Sequence, residues 1–306
     1  MTSRLGVRSG VLALVLACSL LAAPFAASVA SAQESVSHSF SVGESGAVSV
    51  EVLSGTVKLL AWDRSEVEVT GTVGEGVEEL VVSAEDGEVS IEVVTKEKEG
   101  VWGVEGSVDV DLEVRVPAGI EIEVESISAA VSASGVVGEV DIETVSGPIS
   151  VRGDVATASL STVSGPVAFE GSSRETSVEN ISGPVSLSGV SGELDVEAVS
   201  GPISIWAGEV TSASVEAVSG GVEFVGAVAA GGELEIESHS GGAKVTLPGG
   251  QAADFELSTF SGTISNQLGP EPEQDGGLGS SVEFSTGGGA DIDIETFSGN
   301  IEIIAQ

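Results

Sequence analysis

A sequence repeat of about 20 residues constrains the fold of this chain more than any other feature. Near-copies of residues 192–205, GELDVEAVSGPISI, recur from Ile120 almost to the last residue. The copies align on the residue that follows a Ser, which we call the anchor of each copy. The nine anchors, separated by 18, 18, 18, 18, 19, 21, 21 and 37 residues, are Ala129, Gly147, Gly165, Gly183, Gly201, Gly220, Gly241, Gly262 and Gly299. Such a period with strand-type alternation is typical of a β-solenoid.

Apolar columns in the aligned copies define the predicted core. The residue five before the anchor is apolar in all nine copies, and so is the residue two after it. Because side chains alternate between the two faces of a strand, these columns predict the inward faces of two short strands per coil. The Ser-Gly pair between them predicts a turn, with the Ser hydroxyls closing local hydrogen bonds. The predicted fold is therefore all-β, a parallel β-solenoid with about nine regular coils of 18–21 residues and irregular opening coils.

A further apolar column lies two residues before the anchor and does not fit simple alternation. If the strand bends there, each turn buries a corner residue, which is the usual arrangement in solenoids and the one we expect. If it does not bend, an exposed apolar stripe would mark a binding surface. The column consists of Val145, Val163, Ile181, Val199, Val218, His239, Phe260 and Phe297.

Residues 1–32 have the pattern of an export signal peptide. Arg4 and Arg8 precede an apolar run at residues 11–23, and Ala30-Ser31-Ala32 forms a cleavage-site pattern. Cys18, the single Cys of the chain, lies in this run, but the segment before it fits a lipoprotein signal poorly. Cleavage after Ala32 is therefore favoured over lipidation and leaves a chain without disulfides. Export predicts a periplasmic, cell-surface or extracellular protein.

The remaining sequence divides into two parts. Residues 33–118 are β-rich without a clean period, and we expect them to form irregular opening coils that cap the solenoid. Residues 119–306 carry the regular repeats, broken by a predicted loop insertion at residues 267–281, QLGPEPEQDGGLGSS. The last residues, 301–306, contain no obvious polar cap, so the sequence predicts an open terminal coil.

The charge of the chain limits its partners. The formal net charge is −38, which excludes nucleic acid as a main partner and disfavours direct binding to anionic membranes. Thirteen of the eighteen outward positions four and six residues before the anchors are carboxylates. They predict either a solvated acidic face or weak binding of divalent cations, since Ca²⁺ prefers carboxylate oxygens. Crowding of like charges also predicts raised carboxyl pKa values and greater stability near pH 5 than near pH 8.

No group of residues predicts catalysis. Paired carboxylates recur in most copies, so they do not identify a glycosidase. His38 and His239 are isolated, and the sequence contains no phosphate-binding loop, dinucleotide fingerprint or H-E-x-x-H motif. We therefore expect a protein that is not an enzyme, with no catalytic, cofactor-binding or metal-binding residues and no cofactor.

Three segments make the chain similar to a known bacterial family: residues 54–64, SGTVKLLAWDR, residues 114–119, VRVPAG, and the coil at residues 192–205. The chain resembles the exported β-strand-repeat proteins grouped as an adhesin-type domain of unknown function. The resemblance implies a β-solenoid outside the cytoplasm, an adhesive role and no established catalytic residues.

We accordingly predict a non-catalytic, adhesin-like interaction module whose partner is a glycan or an envelope or surface protein. Two alternatives remain open from the sequence. The protein could be a structural envelope component that stacks on itself through the open terminal coil. It could also be an accessory subunit of an envelope-stress or signalling system.

Overall fold

The computed structural model describes residues 34–43, 46–85, 87–96, 108–274 and 279–306. The predicted signal peptide, with Cys18, lies outside these ranges, and so does part of the predicted loop 267–281. Every described residue belongs to one compact unit, Ala32–Gln306. The described residues form 23 strands and no helix, so none of them belongs to a helix that could cross a membrane. The all-β prediction is confirmed.

The strands are numbered in chain order. The first seven are β1 Glu34–Ser41, β2 Ala47–Trp62, β3 Glu66–Val73, β4 Val77–Glu85, β5 Glu88–Thr95, β6 Asp109–Pro117 and β7 Glu121–Ser134. The next eight are β8 Glu139–Thr144, β9 Ile149–Arg152, β10 Thr157–Ser164, β11 Val167–Glu170, β12 Glu175–Ser182, β13 Val185–Ser188, β14 Gly192–Ser200 and β15 Ile203–Ser219. The last eight are β16 Val222–Ser240, β17 Ala243–Leu247, β18 Ala253–Ser261, β19 Ile264–Asn266, β20 Glu273–Gln274, β21 Ser280–Ser285, β22 Ala290–Ser298 and β23 Ile301–Ala305.

Successive coils pair in parallel and in register. The strand before the turn pairs along the series β8, β10, β12 and β14, and the strand after it along β9, β11 and β13. Ile142, Leu160 and Val178 are therefore direct neighbours, and each is at most 1% exposed. The apolar columns read from the sequence do form the core.

The turn after each Ser is held by backbone hydrogen bonds. Gly201 N–H donates to the carbonyl of Ser219 on the next coil at 3.0 Å, and the same bond recurs at neighbouring turns. Gly201 has φ of +137°, and a Cβ placed on it would lie 2.1 Å from the carbonyl oxygen of Gly183. The Ser column is exposed from Ser128 to Ser298, and at several turns the Ser carbonyl accepts the hydrogen bond that joins one coil to the next. Closure of each turn by its own Ser hydroxyl stays a prediction.

The opening part contains a coil that the repeat pattern does not reveal. β2 pairs with β7 over 14 residues, and its Ser54-Gly55 pair lies in register with Ser128-Ala129. On its other side β2 pairs in parallel with β5 and β6. β4 then pairs antiparallel with β5, and β3 pairs antiparallel with both β6 and β1. Antiparallel strands therefore close this end of the parallel stack.

The other end departs from chain order. β22 pairs with both β16 and β18, and β23 pairs with both β17 and β19. The last repeat of the sequence is thus inserted between the two repeats that precede it, and residues 301–306 do not form an open terminal coil. β21 pairs antiparallel with β18 and so covers one of the two strands of the outermost coil. The prediction of an open end is wrong because near-identical copies carry no information about the order in which they stack.

Candidate functional site

The column two residues before the anchor is exposed, so our expectation that it would be buried is wrong. Its apolar members are between 43% and 56% exposed. The strand keeps its alternation up to the turn, so Val199 points outward between the inward-facing Ala198 and the turn. We call this row the apolar stripe. It consists of Ile127, Val145, Val163, Ile181, Val199, Val218, Phe260 and Phe297, together with the exposed His239.

The position beneath the stripe is filled by small residues. Three residues before each anchor, the side chain points inward and is at most 8% exposed. Some of these residues pair with neighbours: Ser126 Oγ donates to Thr144 Oγ1 at 2.9 Å, and Asn180 Nδ2 donates to the carbonyl of Gly165 at 3.0 Å. The full column is Ser126, Thr144, Thr162, Asn180, Ala198, Ala217, Ser238, Thr259 and Thr296. Its restriction to Ser, Thr, Asn and Ala was the sequence signal that this position, and not the stripe, is the interior one.

A row of glutamates stands on the other side of this small-residue column. Glu179, Glu197, Glu216, Glu237 and Glu295 are exposed and in register on five successive coils. Between the glutamates and the stripe lies an open groove of about 510 Å³. A second segment of about 550 Å³ continues the same arrangement along β2, β7 and β8. We call this feature the acidic–apolar groove. The row of glutamates forms one wall, the apolar stripe forms the other, and the column of small side chains forms the floor.

One end of the stripe is aromatic. Phe297 is stacked between His239 and Phe260, and the ring centroids are 4.9 Å apart on each side. This contact depends on the inserted last repeat, because β22 carries Phe297 between β16 and β18. The sequence does not predict this stack, because Phe297 follows both His239 and Phe260 in the chain and yet lies between them in the structure. Both faces of the Phe297 ring are covered.

The other aromatic and histidine residues lie apart from this groove. The guanidinium carbon of Arg64 lies 4.7 Å from the centroid of the Trp62 ring, so Arg64 covers one face of that ring. Trp206 is 46% exposed on β15, in register with Ser188 and Val225 of the adjacent coils. His38, on β1, is not brought together with His239.

The outward carboxylates six residues before the anchor form a second acidic row. Asp293 lies in register between Glu235 and Glu256. Burial, followed by the nearby carboxylates of Glu256 and Glu235, raises the pKa of Asp293 above its ordinary value. Burial and the carboxylates of Glu125 and Asp141 similarly raise the pKa of Glu123. The predicted effect of crowding is confirmed at these two residues, although burial is the larger cause.

This acidic surface is not a formed metal site. Within the part of the chain that the structure describes, no group of three or more His, Cys, Asp or Glu side chains is arranged to hold a metal ion. Weak bridging of neighbouring carboxylates by divalent cations remains a prediction.

We expect Asp293→Asn to stabilise the protein at pH 8 and to have little effect at pH 4. A carboxyl whose folded-state pKa is raised contributes stability below its unfolded pKa and loses it as pH rises through the folded value. At pH 8 the substitution removes a charge opposite two others, a gain on the order of 0.5–1 kcal/mol, or about 2 °C in a thermal melt. The measurement is the melting temperature at both pH values in low salt.

Asp195→Asn is the matched control. Asp195 occupies the same column on another coil, but its in-register neighbours are Ser177 and Ser214. It should therefore show little of the gain at pH 8. Equal gains from both substitutions would show that repulsion between coils is not the cause.

Comparison with known proteins adds a family match. The sequence model described as Toastrack DUF4097 matches residues 45–229, more than half of the chain. No curated protein matches the sequence.

Several solved structures are similar over most of their length. A candidate adhesin from Bacteroides fragilis is 11% identical, covers 90% of this chain and 99% of its own, and has a TM-score of 0.42. A candidate lipid binding protein from Parabacteroides distasonis is 13% identical, with coverage of 88% and 96% and a TM-score of 0.35. A candidate cell adhesion protein from Clostridium sporogenes is 10% identical, with coverage of 90% and 100% and a TM-score of 0.21.

Proposed function

The chain belongs to the Toastrack DUF4097 family, as the sequence resemblance indicated, and we propose that it is an exported, non-catalytic interaction module of the adhesin type. Its binding surface is the acidic–apolar groove. The observation that best supports this proposal is the apolar stripe, in which eight Val, Ile and Phe side chains stand exposed in one row. Contiguous exposed apolar surface of this kind marks interaction sites in soluble proteins.

The repeated construction of the groove supports binding over catalysis. Catalysis requires a few groups with distinct roles, such as an acid and a base with different environments. Here the same combination of Glu, small residue and apolar residue recurs on successive coils. Such a surface suits an extended partner that makes many equivalent contacts. Residues 1–32 predict export, and an exported protein would meet a glycan or a protein of the envelope or of a cell surface as its partner.

Self-stacking into filaments has less support. That alternative required an open terminal coil, whereas β21 covers β18, one of the two strands of the outermost coil, and antiparallel strands close the other end. An unpaired parallel edge is what another copy would need in order to continue the stack.

The test is binding of the full-length protein to bacterial envelopes, intact cells and a glycan panel. The variant Val199→Ser with Val218→Ser removes apolar surface from the centre of the stripe. We expect it to bind at least about tenfold more weakly, because each lost methyl contact is worth up to about 0.8 kcal/mol and tenfold corresponds to about 1.4 kcal/mol.

Trp206→Ser is the control, because it also removes exposed apolar surface but lies outside the groove. It should leave binding unchanged. Unaltered binding by the stripe variant, or an equal loss in both variants, would refute the assignment of the groove.

A further inference from the structure

We propose that the partner of the acidic–apolar groove is a basic amphipathic α-helix that lies along the stack and crosses the strands. Its apolar side covers the stripe, and its Lys and Arg side chains lie along the glutamate wall. This inference rests on the proposed function and specifies the partner class. Three features carry it: the charge of the wall, the spacing of the columns and the length of the glutamate row.

Among the residues that the structure describes, no Lys or Arg forms an ion pair with the glutamate wall. The ion pairs of the described residues join Arg64 to Glu66, Arg115 to Glu68 and Glu113, Arg152 to Glu170, and Lys244 to Glu223. None of these pairs involves the five glutamates of the groove. A partner with Lys or Arg along one flank would supply the missing charge, whereas a second copy of this chain, with net charge −38, would bring like charges together.

The column spacing suits a helix better than a strand. The ring centroids of His239, Phe297 and Phe260, which lie on neighbouring coils, are 4.9 Å apart, so successive residues of the stripe are separated by about that distance. A helix presents one face once per turn, every 5.4 Å or so, and a tilt of about 25° reduces the projected repeat to the coil spacing. An extended strand presents one face about every 6.7 Å and would lose register with the columns within two or three coils.

The length of the glutamate row sets the length of the helix. Five coils from β12 to β22 carry the glutamates in unbroken register, and four intervals of 4.9 Å give about 20 Å. A helix of about 14 residues, or four turns, spans this distance. The smallest side chains of the floor are Ala198 and Ala217, so we place a Leu side chain of the helix there, beside Val199 and Val218.

The aromatic end of the stripe favours a protein over a sugar. Sugars bind aromatic residues by stacking on a ring face, and both faces of Phe297 are covered by His239 and Phe260. The rings therefore form apolar surface for side chains and offer no stacking platform at Phe297.

The experiment is calorimetric titration of the full-length protein with an 18-residue Leu/Lys peptide of helical periodicity. A second peptide of the same composition alternates Leu and Lys and is amphipathic as a strand. We expect the helical peptide to bind one to one, at least tenfold more tightly than the alternating peptide. The pairs Glu197→Gln with Glu216→Gln and Val199→Ser with Val218→Ser should each weaken it at least tenfold. Asp195→Asn and Trp206→Ser, which lie outside the groove, should change the affinity less than twofold.

Several results would overturn the proposal. Equal affinity for the two peptides would exclude recognition of a helix, and full affinity in the glutamate variant would show that the wall is not used. A dimer in sedimentation that the stripe variant dissociates would mean that a second copy covers the groove. If the helical peptide fails while envelope binding still depends on Val199 and Val218, the partner class is wrong and the proposed function stands. If envelope binding is also independent of them, both fail.

Discussion

Replacing Gly201 with alanine is expected to destabilise the protein strongly, with a loss of about 3 kcal/mol or more. Its φ of +137° lies in a region that is open almost only to glycine, where other residues cost about 1–3 kcal/mol. The added Cβ would also lie 2.1 Å from the carbonyl oxygen of Gly183, and forcing such an overlap costs about 1–3 kcal/mol more. The melting temperature should fall by about 6–12 °C, measured by circular dichroism or calorimetry.

Gly208→Ala provides the control for this substitution. A Cβ on Gly208 would meet nothing closer than the Val190 carbonyl oxygen at 3.8 Å, an ordinary contact. The variant should melt within about 2 °C of the wild type. Equal losses at the two positions would mean that the stacked turns tolerate side chains and that the close backbone approach does not limit the sequence.

The second large effect is expected at Ile303, in the last strand of the sequence. Ile303 is fully buried, with Val245 of β17 on one side and Asn266 of β19 on the other. Replacing it with alanine should cost about 3 kcal/mol, the usual range for a large apolar residue deleted from a core being about 2–5 kcal/mol. The measurement is equilibrium unfolding in urea.

Ile304→Ala makes the same chemical change one residue further on, where the side chain points to the other face and is only partly buried. It should cost less than about 1 kcal/mol. An effect of Ile303→Ala as mild as that of Ile304→Ala would contradict the packing of Ile303 between β17 and β19.

The sequence predicts the interior of this protein well. The apolar columns of the repeat require only that inward and outward positions alternate, and residues such as Val196 and Ile203 are buried as that pattern indicates. The Ser-Gly turn is also predictable, because Gly201 must adopt a positive φ and admit the backbone of the adjacent coil. These properties are local to one copy and are repeated in the others.

Neighbour order is not local, and the sequence does not determine it. The step of 37 residues between Gly262 and Gly299 shows that the chain makes a detour, but it does not show on which side of β18 the last repeat returns. The coil of β2 is hidden for a similar reason. Its Ser54-Gly55 pair stands 74 residues before Ala129, because β3 to β6 intervene and break the period.

The exposed stripe was one of two alternatives that the sequence left open, and burial was preferred because the turn was given the wrong geometry. The apolar character of the Val199 column, taken alone, favoured its burial. The adjacent residue of the same strand, Ala198, already occupies the interior position. Two adjacent residues of a strand cannot both face the core. Comparing the two columns would have shown that the larger and more apolar one remains outside, where it forms one wall of the groove.

The inserted last repeat also affects how the chain can fold. Neighbouring regular coils are joined through 18 to 21 residues, but β16 meets β22 through residues that are 58 apart, such as Glu235 and Asp293. Closing the longer loop costs about 1 kcal/mol more in chain entropy. We therefore expect coil-by-coil growth to pause after β17 until β22 and β23 are in place, because the native partners of β18 and β19 in the parallel stack are β22 and β23. The aromatic end of the stripe is completed in that step, so a chain that stops short of β22 would fold most of its coils and still lack the end of its groove.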